Sequence, residues 1–206
     1  MLSLVFVAFW MLAPPSDAHA ANAAESFVQS NIDRGYVILN DGASNAAQRQ
    51  LQFRDLLLSM VDVKRVALFT LGPYARDAGE ADIEKFTAAF TDYLTAVYRR
   101  GLDTYKGEAL EVIGSNERAQ DDVIVNVIAR DRSATSSPAR IGFRVRRAKS
   151  GGTIITDLEI EGAWLAITQR AEFIAYLERH GGDVAELAME LEERAARIRA
   201  TDGELR

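Results

Sequence analysis

The sequence predicts an α+β fold: a curved antiparallel four-stranded sheet with helices packed on one face, N-terminal helices first and two C-terminal helices last. Two observations carry that prediction. Apolar residues recur every three or four positions from residue 25 to about 102, every second position from 108 to 160, and every three or four again to about 199. The junctions between these stretches carry turn and stop residues, namely Asp41-Gly42, Gly72-Pro73, Gly151-Gly152 and Gly181-Gly182. Helices set apart from a run of successive strands form the α+β pattern.

The elements follow in order. Phe27, Val28, Ile32, Tyr36 and Leu39 mark a helix over 25–41. Leu51, Phe53, Leu56 and Leu57 mark a second over 46–60, and a short third piece over 63–71 stops at Gly72-Pro73. The longest helix covers 80–102, with the stripe Ile83, Phe86, Phe90, Leu94 and Val97 flanked by Tyr93 and Tyr98. Strands are predicted over 108–113, 122–130, 140–147 and 153–160. In the second, Val123, Val125 and Val127 share a face. In the third, Ile141, Phe143 and Val145 oppose Arg144 and Arg146. Lys149-Ser150-Gly151-Gly152 reads as a hairpin turn. Helices over 164–179 and 184–199 close the chain.

Composition removes several function classes. With 206 residues, 48% of them hydrophobic, the chain can build one sizeable core. A formal charge of −6 makes nucleic acid an unfavourable partner. The absence of cysteine excludes disulfides, thiol nucleophiles and thiolate metal sites. The run from Leu2 to Ala13 is apolar and contains Phe6, Phe9 and Trp10. Pro14-Pro15 ends it, and Ala18-His19-Ala20 places small residues where a signal peptidase reads. Residues 1–20 are therefore expected to be a cleaved secretory signal, and 21–206 a single domain. The run is too short to span a bilayer.

Catalytic and cofactor chemistry finds no residues to carry it. His180, the one histidine beyond the leader, sits at a predicted helix end beside two glycines, where it is expected to meet the last carbonyls. No metal-ligand spacing, P-loop or dinucleotide fingerprint is present, so no metal and no cofactor are expected. The acidic pairs Asp121-Asp122 and Glu192-Glu193 read as solvated surface. Asp157-Leu158-Glu159-Ile160-Glu161-Gly162 forms a strand-to-helix corner, with Arg170 expected to reach back to Asp157 or Glu161. Arg140, Arg144, Arg146, Arg147 and Lys149 concentrate positive charge on an acidic protein. They read either as the solvated face of a strand or as a docking surface for a membrane-associated partner or anionic head groups.

Three segments resemble the MlaC family, the auxiliary components of ABC transporters also known for toluene tolerance. Val66-Ala67-Leu68-Phe69-Thr70-Leu71-Gly72-Pro73-Tyr74 resembles the family's helix-to-turn passage. Phe86-Thr87-Ala88-Ala89-Phe90, with Tyr98, Leu102, Tyr105 and Gly107, resembles its long helix. Residues 157–162, followed by Arg170 and Phe173, resemble its strand–helix corner. Ala75 and Trp164 depart from the family's usual Trp and Ser. Trp164-Leu165-Ala166 with Gln169-Arg170 is similar to a branch associated with hopanoid lipids.

The resemblance implies a periplasmic lipid carrier that is not an enzyme. It would hold phospholipid tails in an apolar pocket between sheet and helices, and pass lipid between an inner-membrane ABC transporter complex and an outer-membrane lipoprotein complex. A hopanoid-type cargo and a ligand-free periplasmic adaptor are the alternatives, and an acid–base enzyme of similar shape is a third. The residues expected to contact lipid are Phe69, Leu71, Tyr74, Phe90, Tyr98, Val125, Val127, Phe143, Val145, Ile160, Trp164, Ile167 and Phe173. Arg144, Arg146 and Arg147 are expected to dock a partner.

Overall fold

The computed structural model describes residues 17–103, 108–130, 138–148 and 151–204. The apolar leader over 1–16, the family-like Tyr105 and Gly107, and Lys149-Ser150 of the predicted hairpin turn lie outside them.

Helices α1 (Asp17–Leu39), α2 (Ala46–Met60) and α3 (Val63–Leu71), a 3₁₀ turn (Gly72–Arg76) and α4 (Glu80–Asp103) precede the sheet. Strands β1 (Ala109–Ala119), β2 (Asp122–Arg130), β3 (Ala139–Arg147), β4 (Thr153–Ile160) and β5 (Ala163–Trp164) follow. Helices α5 (Leu165–Arg179) and α6 (Val184–Glu204) end the chain. The sheet is an antiparallel meander, β1-β2-β3-β4-β5 in sequence order. It has one strand more than the periodicity indicates. β5 is only two residues long, too short to show alternation, and Glu161 and Gly162 turn the chain into it through positive φ angles of 49° and 87°. β1 runs past the predicted Ile113 because a bulge at Gly114, with φ 131°, lets the strand continue to Ala119.

Local chemistry fixes the helix ends. Asn45 and Gln48 form a reciprocal capping box at the start of α2, with both bonds 2.9 Å. The Asp62 carboxylate accepts from the Arg65 amide to start α3. α5 is capped from a distance: Asp157, in the middle of β4, accepts the amide of Ala166 at 2.8 Å. The amide of Gly182 closes the end of α5 on the Leu177 carbonyl at 2.8 Å. His180 lies there as expected, with Nδ1 2.7 Å from the Tyr176 carbonyl and its ring stacked on Tyr176.

Burial divides into separate cores. The first is helical and lies among α3, α4, α5 and α6. Phe86, Phe90 and Phe173 meet at its centre, with ring centroids 5.9–6.3 Å apart, and Leu71, Leu177, Leu187 and Leu191 surround them. The second lies between α1 and the sheet, where Val28 and Ile32 cover Val123, Val125, Val127 and Val145. A third, smaller one puts Leu56 and Met60 of α2 over Ile155. Phe27 and Phe143 belong to the edges of both sheet-side cores, whereas the helical core shares no residue with either. The Tyr36 hydroxyl ties α1 to the start of β1, donating to the Glu108 carbonyl and accepting from the Leu110 amide.

Candidate functional site

The boundary between the helical core and the sheet-side cores runs along α4. One side of α4 packs along α6. Another carries Thr87, Thr91, Thr95 and Arg99, four residues apart and therefore on one face. Each threonine hydroxyl donates to the carbonyl four residues earlier, at 2.7 Å, which satisfies it inside its own helix. This face presents methyl groups and no large apolar side chain, so it does not fill the space beside it.

The result is a groove of about 300 Å³ between α2 and α4. Ala47, Gln50, Leu51, Phe53, Arg54 and Leu57 line it from α2, and Thr95 and Arg99 from α4. A separate, more open depression lies beside Thr87 and Thr91, where Lys64, Glu84 and Ala88 complete its wall. α2 touches α4 only sparsely and is held mainly by α1. Leu51 is 58% exposed, an apolar side chain left in water at the groove.

The residues expected to contact lipid are distributed rather than gathered. Leu71, Phe90 and Phe173 fill the helical core, and Tyr74 packs on its edge against Gly182. Val125, Val127 and Val145 lie beneath α1, and Phe143 sits where the α1 and α2 cores meet. Tyr98 is enclosed, and burial, with the nearby charge of Asp157, pushes its hydroxyl up to about 12. Trp164 is half-buried on β5 beside Glu159. Phe69, Ile160 and Ile167 are 43%, 42% and 49% exposed.

None of the residues lining the groove is among those expected from sequence to contact lipid. Leu51, Phe53 and Leu57 are visible there only as the apolar set of a helix. The four-residue spacing of Thr87, Thr91, Thr95 and Arg99 is the signal that marks an unfilled helix face.

The polar clusters differ from expectation in two places. Arg170 does not reach Asp157 or Glu161. Its guanidinium donates to the Phe69 carbonyl and lies 4.9 Å over the Phe69 ring. Asp157 is already occupied by the Ala166 and Leu158 amides, and Glu161 accepts the Arg140 amide at 2.6 Å. Nor is Asp122 a solvated turn residue. Its nearly buried carboxylate accepts two bonds from Arg144, at 2.9 and 2.6 Å, and lies 3.6 Å from Arg146. The Arg144 hydrogen bonds hold it below the usual carboxylate range. Arg147 pairs with Asp121 at 3.1 Å. The β2–β3 register causes this pairing, because it sets Asp122 opposite Arg146, two positions from Arg144 and on the same face.

An open antiparallel sheet with helices on one face defines an α+β architecture, and an apolar groove lies between two of its helices. No helix among the described residues is long and apolar enough to cross a membrane, and no cluster of metal-ligating side chains occurs among them. The family model for the MlaC protein matches residues 29–193, and the chain belongs to that family. The fold is similar to that of a phospholipid-binding protein from Ralstonia solanacearum, solved in complex with a phospholipid. The TM-score is 0.72 and the identity 23%, over 85% of this chain and 98% of that one.

Proposed function

We propose that this protein is a periplasmic lipid carrier, exported by way of residues 1–20, that shields phospholipid acyl chains in the space between the α2–α4 groove and the sheet. It moves lipid between an inner-membrane ABC transporter complex and an outer-membrane lipoprotein complex, and breaks no bond. The observation that carries this reading is the separation of the helical core from the sheet-side cores, with an apolar groove at their boundary. Family membership and the phospholipid bound by the Ralstonia protein support it.

The physical requirement is plain. Each methylene exposed to water costs roughly 0.8 kcal/mol, so a carrier must cover nearly all of both tails. A groove of about 300 Å³ lies at the small end of ligand pockets. Loading therefore requires α2 to move away from α4, with the tails extending past Leu57 toward Phe143 and Tyr98. The sparse α2–α4 packing makes that movement cheap. Partner docking is assigned to Arg144, Arg146 and Arg147 of β3; Arg144 and Arg146 line a depression with Arg65 and Phe69 of α3 that also holds Asp157, and Arg147 pairs with Asp121.

Native mass spectrometry of the exported protein purified from its host, with extraction of whatever co-purifies, tests the reading. One phospholipid per chain is the expected result. A polycyclic lipid keeps the carrier and changes its cargo. Protein that stays empty after incubation with phospholipid vesicles overturns the carrier and leaves a ligand-free adaptor.

A further inference from the structure

The groove between α2 and α4 is apolar in its walls but not in its charge. Arg54 and Arg99 are the charged side chains among the described residues that line it, and both are cations. Neither forms an ion pair with a carboxylate among the described residues. Arg99 is also the one described residue with a buried side-chain nitrogen that lacks a hydrogen-bond partner, its Nε. By contrast, the part-buried Arg144 is matched by Asp122, whose carboxylate accepts two of its N–H groups. An unmatched guanidinium N–H carries its desolvation penalty without return, and native structures rarely keep one unless something else supplies the acceptor. The neighbouring Thr95 hydroxyl donates to the Thr91 carbonyl and makes no hydrogen bond to this Nε.

We propose that Arg54 and Arg99 form an anion-binding subsite in the α2–α4 groove that receives the phosphodiester of a glycerophospholipid whose acyl chains lie against Leu51, Phe53 and Leu57. This rests on the carrier reading and adds a chemical selection to it. A guanidinium offers planar paired donors that match phosphate oxygens, and a low-polarity wall strengthens the contact. The tails supply affinity and the arginines choose the head-group chemistry. A lipid with the same tails and no phosphate leaves both cations facing the groove unpaired, and so is discriminated against.

The test uses delipidated full-length exported protein. It is incubated with vesicles containing phosphatidylglycerol and diacylglycerol of identical chains, and bound lipids are counted by native mass spectrometry. The wild type is expected to favour phosphatidylglycerol over its share of the vesicle by roughly tenfold or more, the scale of one charge-assisted contact. Arg99→Gln and Arg54→Gln should each bring the ratio toward the input, and Arg99→Lys should retain part of the preference. Circular dichroism confirms that each variant is folded.

Wild-type protein that takes up both lipids without preference overturns the subsite and leaves the carrier standing. Wild-type protein that takes up neither overturns the carrier itself. Equal loss of both lipids in Arg99→Gln reduces the residue to a structural role and overturns the proposal. Inorganic phosphate that binds the lipid-free protein, and is lost in Arg99→Gln while lipid preference stays unchanged, assigns the site to free phosphate and overturns the head-group reading.

Discussion

Thr95→Phe separates the groove from the core as the place where lipid tails lie. Thr95 faces the groove from α4, and its hydroxyl bonds only within its own helix. The substitution therefore breaks no tertiary contact, and the change in helix propensity is within a few tenths of a kcal/mol. The ring enters the groove and displaces tail. If it excludes roughly four methylenes, the loss is about 3 kcal/mol at 0.8 kcal/mol each, or roughly a hundredfold in affinity. The matched control is Phe173→Leu. Phe173 is fully buried against Phe86 and Phe90, and the change is expected to cost about 1–3 kcal/mol of stability. The assay is transfer of a fluorescent phospholipid from vesicles, with thermal unfolding alongside. Thr95→Phe should lose transfer and keep its melting temperature, while Phe173→Leu should lower the melting temperature and keep transfer. The opposite pattern, normal transfer in Thr95→Phe and impaired transfer in folded Phe173→Leu, would place the tails in the helical core and refute the reasoning.

Other outcomes follow from single contacts. Asp122→Asn removes the carboxylate shared by Arg144 and Arg146 and is expected to cost about 2–3 kcal/mol at neutral pH, measured by urea unfolding. Because the folded state lowers the Asp122 pKa, its contribution is present above the unfolded carboxylate range and fades as pH falls through the folded value. The variant should therefore lose less stability on acidification than the wild type. Tyr98 reverses that sign. Its hydroxyl is raised to about 12, chiefly by burial, so its contribution is complete below the unfolded pKa of about 10 and is lost as pH rises toward 12; Tyr98→Phe should flatten that alkaline limb in a pH series of melts. Gly72 holds φ 59° and ψ −127° at the end of α3, and a Cβ there would meet Ile174 Cδ1 at 2.7 Å. Gly72→Ala should destabilise by about 2–3 kcal/mol in equilibrium unfolding, and an unchanged midpoint would contradict the strained geometry.

The sequence by itself determined where most elements begin and end. α2, α3, β2 and β4 occupy the predicted residues, because apolar periodicity and the stops at Gly72-Pro73 and Gly181-Gly182 are local signals. It also determined the α+β class and the inward face of β3. Tertiary structure alone decided what each apolar face meets. Periodicity reports that Phe90 and Phe173 are buried, but it does not report that they fill one core with Phe86 while Leu57 and Phe53 border a groove. Long-range polar partners were equally hidden. Asp122 finds Arg144 through strand register, Asp157 caps a helix nine residues later, and Arg170 turns to Phe69, about a hundred positions away in the chain. A side chain's local pattern fixes the direction in which it points. Only the packing of whole elements fixes what stands in that direction, and here that packing leaves Arg99 facing a groove with its Nε unpaired.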